Sequence, residues 1–177
     1  MIELVPWDRA TLAANAEQVL DVYAEAMGVP RPAARSRRAV LAGHLDRGGL
    51  RAVASLDGSR LIGIGYGYLG AAGQWWHDQV RVALTSEQVE AWLVDSFEVC
   101  ELHVLPTHQG AGLGRRLLAD LLAGTPARTA VLTTPDLETR ARAFYRAGGW
   151  TDLLRHLRFP GDPREFAVLG LHLGSAA

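Results

Sequence analysis

The chain has 177 residues, 49% of them hydrophobic, and a formal net charge of −1 at pH 7. This length suits one domain, residues 1–177, and the near-neutral charge argues against a nucleic-acid binder that relies on a general positive field. No apolar run approaches membrane-spanning length, and the charged start MIELVPWDRA argues against a signal peptide. The single cysteine, Cys100, excludes an internal disulfide and fits a reducing compartment, so a cytoplasmic location is expected.

The first part of the chain predicts one strand and two helices. Residues 2–5 predict a short strand that ends at Pro6, and an amphipathic repeat predicts a helix over about 12–27 that stops at Gly28. A second helix is predicted over about 32–45. Its arginines favour a solvated helix face over a patch for an anionic acceptor; they are Arg31, Arg35, Arg37 and Arg38.

A hairpin and a less regular segment follow. Strands predicted over 50–56 and 61–69 flank Asp57-Gly58-Ser59, which is a strong turn signal. The glycines of the second strand predict a close approach by a neighbouring backbone or a ligand. Residues 70–96 predict only a short helix near 86–94. Trp75 and Trp76 fit two interpretations equally, a small core under a long loop or a wall of an acceptor pocket.

The stretch from Phe97 to Leu122 predicts a strand, a glycine-rich turn and a helix. An apolar run ends at Pro106, glycines follow at positions 110, 112 and 114, and leucines then recur with helical spacing. The first amides of a helix lack internal partners, so this order predicts a site for a phosphate or pyrophosphate. The chain contains no lysine, which excludes a nucleotide P-loop, and Arg115 stands where a dinucleotide fingerprint needs its third glycine.

The last part of the chain predicts a strand, a helix and two further strands. Residues 130–133 predict the first strand, and Thr134 and Pro135 predict the N-cap and first position of a helix that runs to about Ala147. Strands are then predicted over 150–159 and 166–173. No metal is expected, because the histidines and acids of this half do not fall at a recognised metal-ligand spacing; they are His103, His108 and Asp136.

The glycine turn, Gln109-Gly110-Ala111-Gly112-Leu113-Gly114, fits the pattern Q/R-x-x-G-x-G/A. With LHVLP before it and FYRAGGW after it, this stretch resembles the GNAT superfamily of acyl-CoA-dependent N-acetyltransferases, sharply from about Glu98 to Trp150. The resemblance implies a single α/β domain of GNAT fold, with a mixed twisted sheet and helices on both faces. It also implies that two central parallel strands splay after Leu105 and Thr133.

The function implied by the resemblance is transfer of an acetyl group from acetyl-CoA to a primary amine, by direct attack in a ternary complex. The acceptor would be a small-molecule or peptide amine, which the sequence does not identify, and homodimers are common among relatives. Two other classes stay open at this point. One is a degenerate member that binds acyl-CoA as a sensor or regulatory module, and the other is a helix-mediated interaction protein, which would leave the glycine turn unexplained.

The resemblance also implies which residues hold acetyl-CoA and which protonates the leaving thiolate. The backbone of Leu102, His103 and Val104 would pair with the amide groups of pantetheine. Tyr145, in Ala141 to Tyr145, holds the family position of the general acid, with a core tyrosine beside Phe144 as the alternative. The pyrophosphate would lie on the turn and the first helical residues, which are Gln109, Gly110, Ala111, Gly112, Leu113, Gly114 and Arg115.

Glu98 and Glu101 are the candidates for the general base. Carboxylates are costly to bury in a central strand, so they suggest a cleft that opens onto it. By simple alternation the two face opposite sides of the sheet, unless a bulge shifts the register. The family spacing favours Glu98, six positions before Val104, with Glu101 as the fallback, and desolvation should raise the pKa of a base in such a cleft. The alternative is that both lie at a solvated strand end.

Overall fold

The computed structural model describes residues 1–174, which contain both helices and strands. The helices are α1 (Arg9–Ala14), α2 (Ala16–Met27), α3 (Arg31–Arg35), α4 (Arg38–Leu45), α5 (Trp75–Ala83), α6 (Ser86–Trp92), α7 (Leu113–Leu122) and α8 (Arg140–Ala147). The strands are β1 (Ile2–Trp7), β2 (Arg51–Asp57), β3 (Arg60–Leu69), β4 (Ser96–Val104), β5 (Thr129–Pro135), β6 (Thr151–Leu157) and β7 (Phe166–His172).

The strands of the described residues form one seven-stranded mixed sheet in the order β1-β2-β3-β4-β5-β7-β6. Strand β4 pairs with β5 in parallel, whereas β5 with β7 and β6 with β7 are antiparallel. The predicted α/β class with a mixed sheet is therefore confirmed. The parallel register covers three residue pairs, from Ser96–Thr129 to Glu98–Val131, so it ends before the predicted splay points Leu105 and Thr133.

The contacts of the chain divide it into two compact units. One unit comprises Met1–Tyr68 with Val99–Thr125, and the other comprises Leu69–Glu98 with the remainder from Pro126. The expectation of a single domain over residues 1–177 stays a prediction.

In the first unit, helices cover both faces of the sheet. Helix α7 lies directly on β3, because a Cβ added at Gly63 would come within 3.0 Å of a methyl group of Leu117. A Cβ at Gly63 would also lie 3.1 Å from the carbonyl oxygen of His103 on β4, which is the close approach of a neighbouring backbone that the strand glycines predicted. On the other face, Tyr66 lines a small pocket together with residues of α2 and α4, among them Leu20 and Leu41.

Three boundaries in the first unit differ from the predictions. Strand β1 continues through Pro6, which an edge strand tolerates. The predicted helix over 12–27 is two helices, broken at Asn15, whose side-chain amide donates to the carbonyl of Thr11 (2.9 Å). The second predicted helix is likewise broken, at Ser36 and Arg37, and the Ser36 hydroxyl donates to a carbonyl one turn earlier. Short polar side chains that bond to the helix backbone favour such breaks.

The second unit contains a helix that the sequence did not predict. Before α5 begins, the side chain of Gln74 donates to the carbonyl of Leu69 (3.0 Å) and accepts from the amide of Ala71 (3.1 Å). These two hydrogen bonds close the turn from which α5 starts. Helix α6 is capped by Thr85 through a reciprocal pair of hydrogen bonds with Gln88.

The start of α8 was predicted wrongly. Thr134 and Pro135 do not cap this helix but belong to β5, where they pair with Ala167 and Phe166 of β7. The actual N-cap is Thr139, whose hydroxyl accepts from the backbone amide of Arg142 (3.2 Å). Strand pairing across the sheet therefore overrides the local capping signal.

The core of this unit lies between its helices α5 and α6 and its strands, around Val80, Leu93, Val131 and Val168. Strands β6 and β7 confirm the two predicted C-terminal strands. Among the described residues, none of the helices is long and apolar enough to cross a membrane.

Candidate active site

The glycine turn between β4 and α7 has a backbone that only glycine adopts readily at two positions. Gly110 (φ 86°) and Gly112 (φ 79°) lie in the left-handed region, and a Cβ added to either would meet no atom within 4 Å. The backbone conformation therefore favours glycine at both positions, and no side chain covers the backbone of the turn there. The turn is held in place by Gln109, whose side chain donates to the carbonyl of Val104 (2.9 Å).

Helix α7 begins immediately after this turn. Gly112 is its N-cap, and the amides of Arg115 and Arg116 donate to the Gly112 carbonyl at 3.1 and 3.2 Å. The preceding amides point outward from the helix start, where the helix dipole favours an anion. Leu113 is buried and anchors the turn, while Arg115 and Arg116 are exposed beside it. This donor set fits a phosphate or pyrophosphate group.

Glu101, on β4, is a largely buried carboxylate with both oxygens bonded. Arg37 donates to one oxygen at 2.6 Å, and His103 Nε2 lies 2.5 Å from the other. Burial alone would raise the pKa of Glu101, but the hydrogen bond from His103 and the charge of Arg37 outweigh it, so the pKa lies below its ordinary value. A carboxylate with a lowered pKa is a weak base at neutral pH.

Glu98 lies on the same strand in the second unit. Its side chain is buried, with 6% of the residue exposed, and it stands opposite Val131 in the last pair of the parallel register. The alternative of a solvated strand end therefore does not hold for Glu98. Whether it acts as the base stays a prediction.

A small pocket of about 10 Å³ lies beside Glu101 in the first unit, with room for about one water molecule. Its polar side is formed by Arg37, Glu101, His103 and two tyrosines. Its apolar walls come from α2 and α4, namely Val19, Leu20, Val40 and Leu41. The Arg37 guanidinium lies 4.8 Å from the ring centroid of Tyr23, within cation–π range.

The contacts between the side chains of this pocket were not predicted from the sequence. Glu101 and His103 stand two residues apart on a strand and so share a face, which is a local signal for their contact. Arg37 is 64 positions away from Glu101, and no local pattern links the two. The solvated-face interpretation does fit the other arginines of this segment, which pair with acids of α2: Arg35 and Arg38 with Glu17, and Arg31 with Asp21 and Glu25.

Tyr145, the predicted general acid, lies on α8 in the second unit. Its ring makes edge-on contacts with Phe144 (5.1 Å between centroids) and Trp150 (5.5 Å), and its side chain is partly exposed. Both the acid and the core interpretation are compatible with this position. Glu138 is exposed, and its carboxylate accepts a hydrogen bond from Arg146 at 2.9 Å.

Asp136 is the centre of a buried ion-pair cluster in the second unit. Its carboxylate accepts from Arg142 and Arg155 and from the backbone amide of His156, and Arg142 is fully buried. The side chains of Asp136, His156 and Glu165 lie within 4.8 Å of one another, a spacing that metal ligands also show. Because two arginines already neutralise Asp136, the arrangement fits an ion-pair network.

Trp75 and Trp76 differ in their surroundings. Trp76 packs against the core of the second unit, and its indole N–H donates to the hydroxyl of Thr133 (3.3 Å). Trp75 is 56% exposed and lies 5.3 Å from Phe159 between ring centroids. The core interpretation therefore holds for Trp76, and a pocket wall is open only for Trp75.

A central strand that leads through a glycine turn into the start of a helix is an arrangement typical of α/β proteins that bind a phosphorylated ligand. The sequence model of the acetyltransferase (GNAT) family matches residues 16–149, which is more than half of the chain. The GCN5-like protein acetyltransferase Rv2170 of Mycobacterium tuberculosis is 35% identical over 200 aligned positions, covering 96% of each protein.

Solved structures show the same fold. A GNAT-family protein from Desulfovibrio desulfuricans superposes with a TM-score of 0.71 at 17% identity, covering 97% of this chain and 99% of the other. The PaiA N-acetyltransferase of Thermoplasma acidophilum, solved with coenzyme A, gives a TM-score of 0.65 at 12% identity, covering 98% and 99%. At identities this low, the similarity of these structures is evidence for a common fold and not for a common function.

The chain therefore belongs to the GNAT family of acetyltransferases, and its class of enzyme is that of the GNAT-type N-acetyltransferases. The family resemblance and the GNAT fold predicted from the sequence are confirmed.

Proposed function

We propose that this enzyme transfers the acetyl group of acetyl-CoA to a primary amine of a protein or peptide, by direct attack in a ternary complex. The observation that carries the proposal is the turn from β4 into α7, where Gly110 and Gly112 have positive φ and leave the backbone open before a helix start. Such a turn accepts the pyrophosphate of CoA. The relative at 35% identity, named a protein acetyltransferase, favours a protein amine over a small molecule.

The residues implied by the family take the following proposed roles. The backbone of Leu102, His103 and Val104 would bind the pantetheine arm, and the residues from Gln109 to Arg115 would bind the pyrophosphate. Bound acetyl-CoA would supply the thioester from which the acetyl group is transferred. The amine must lose a proton before it attacks, and the departing thiolate must gain one.

We propose Glu98 as the base, acting through a water, and Tyr145 as the acid. The family spacing favours Glu98, and its burial, with 6% of the residue exposed, is compatible with proton transfer through one positioned water. Glu101 is the weaker candidate, since its oxygens are bonded to Arg37 and His103 and its pKa is lowered.

The test is release of the CoA thiol from acetyl-CoA in the presence of a panel of acceptors. The panel contains a peptide with one lysine, a peptide with only its α-amine free, a small polyamine, and the lysine peptide with all amines blocked. The proposal predicts release with the unblocked peptides and none with the blocked one. Release with the polyamine alone would shift the acceptor to small molecules. Binding of acetyl-CoA without release for any amine would favour a regulatory acyl-CoA binder.

A further inference from the structure

Helix α5 covers the face of the sheet on which the proposed base lies. Glu98 stands opposite Val131 in the parallel register, and residues paired in this way point to the same face of a sheet. Val131 packs in the core cluster that contains Val80 of α5, so the helix lies over this face. Thr133 follows Val131 by two positions on β5 and shares the face. Glu98, Val131 and Thr133 therefore point toward the side of the sheet that α5 covers.

Trp76, in the first turn of α5, is fixed on this face beside Thr133. Its indole N–H donates to the Thr133 hydroxyl at 3.3 Å, and its ring packs against the core cluster. Val131 is buried, whereas Trp76 and Thr133 are only partly buried. The core therefore ends at Trp76 and Thr133, and a ligand can reach the part of each side chain that stays accessible.

The chemistry of acyl transfer places the acyl group close to this pair. In the proposed reaction the amine nitrogen bonds to the acyl carbon as the carbon–sulfur bond breaks. A proton of the amine passes to Glu98 through a water, and the thiolate takes a proton from Tyr145. Reacting atoms must approach to about 3–3.5 Å, and a base acts within hydrogen-bond reach or through one water. The acyl group must therefore lie near Glu98, on the face that this residue shares with Thr133.

We propose that Trp76 closes the acyl end of this site and thereby restricts the transferred group to a short acyl chain. This inference rests on the proposed function and names the residue that sets the acyl-chain length. An acetyl group ends at one methyl group, whereas each further methylene group would meet the indole. Moving the ring aside would break its hydrogen bond to Thr133 and its packing against the core, so the indole acts as a fixed stop.

A comparison of acyl donors measures the effect of Trp76 on chain length. The wild-type protein should use acetyl-CoA and discriminate against butyryl-CoA. Trp76→Ala should raise kcat/KM for butyryl-CoA relative to acetyl-CoA about tenfold or more, because each of the two extra methylene groups contributes about fourfold when it is buried. Trp76→Phe keeps a ring at the position but removes the N–H donor, and it should keep acetyl-CoA as the preferred donor.

Trp75 provides the matched control, because it is the same residue type one position earlier. It is 56% exposed, and its ring lies 5.3 Å from that of Phe159 between centroids, so Trp75→Ala should leave the donor ratio unchanged. Should Trp76→Ala fail to fold, Trp76→Leu, which keeps apolar packing and still shortens the side chain, replaces it in the same comparison.

A purely structural role of Trp76 gives a different result. Trp76→Ala would then lower kcat/KM for both donors by the same factor, and their ratio would stay constant. That outcome overturns the inference. A wild-type protein that uses butyryl-CoA as well as acetyl-CoA overturns it too.

A binding experiment without acyl transfer separates this inference from the proposed function. S-ethyl-CoA and S-hexyl-CoA are thioethers, which cannot donate an acyl group. In titration calorimetry the wild type and Trp75→Ala should bind S-ethyl-CoA more tightly than S-hexyl-CoA, and Trp76→Ala should abolish or reverse this order.

The outcomes of the binding experiment are distinct. If the wild-type protein acetylates no amine but binding follows the prediction, the proposed function fails while the limit on chain length stands. The same order of affinities in the wild type and in Trp76→Ala would show that the inference is wrong, even for an active enzyme. Binding of neither thioether would refute the proposed CoA site and this inference with it.

Discussion

Replacing Gly112 with valine separates the fold of the glycine turn from its ability to bind. Gly112 has φ 79° and no atom within 4 Å of an added Cβ, so the cost is one of backbone conformation, without a steric clash. A non-glycine residue held in such a region costs about 1–3 kcal/mol of folding free energy. The variant should therefore fold, but its side chain would stand where the pyrophosphate must reach the backbone.

Gly124 provides the matched control. It follows α7, has φ 70° and also has no atom within 4 Å of an added Cβ, so Gly124→Val carries the same conformational cost at a site away from the turn. Urea unfolding should show similar losses of stability for the two variants. Titration calorimetry with acetyl-CoA should show binding abolished for Gly112→Val and retained for Gly124→Val. Unchanged affinity in a folded Gly112→Val protein would refute the placement of the pyrophosphate.

Five further substitutions test the proposed acid, the proposed base and the ion-pair cluster. Tyr145→Phe should lower kcat on the order of 10²–10⁴-fold with little change in CoA affinity, and equal turnover would return Tyr145 to a core role. Glu98→Gln should remove the low-pH limb of kcat/KM, whereas loss of the limb only in Glu101→Gln would exchange the two roles. Arg142→Met removes the cation between two acids and should cost about 3–5 kcal/mol in urea unfolding; a loss below about 1 kcal/mol would contradict the buried ion pair. For Asp136, burial alone would raise the pKa, but the bonds from His156 and the arginines bring it below 3.8. Its stabilisation is therefore present above that pH and is lost as the pH falls through the folded pKa. The stability advantage of the wild type over Asp136→Asn should shrink only in strong acid. An advantage that grows on acidification would show that folding raises the pKa of Asp136 instead of lowering it.

The parts of the fold that local chemistry specifies could be predicted from the sequence. The glycine turn and α7 follow from residues that are adjacent in the chain, and Thr85 caps α6 through Gln88 only three positions away. Thr134 and Pro135 carried an equally clear capping signal, yet pairing with β7 places them in a strand. Local propensity decides where no long-range partner competes.

The candidate site likewise combines a part that local sequence predicts with a part that depends on residues distant in the chain. The turn that would bind pyrophosphate is local, and the sequence contains all of it. The surroundings of Glu101 are not local, because Arg37 reaches it from 64 positions away and the pocket walls come from two further helices. A single sequence therefore indicates which carboxylates to examine but not which of them is already paired.

The measurement that tests the central claim most directly is mass spectrometry of both enzyme and acceptor after reaction with acetyl-CoA carrying a labelled acetyl group. With a lysine peptide present, the account predicts one labelled acetyl group in an amide on the peptide amine and none on the enzyme. Without the peptide, it predicts that the label stays on CoA. A labelled enzyme side chain formed before the peptide reacts would contradict direct attack, and an unlabelled peptide with all acetyl-CoA intact would contradict the proposed activity.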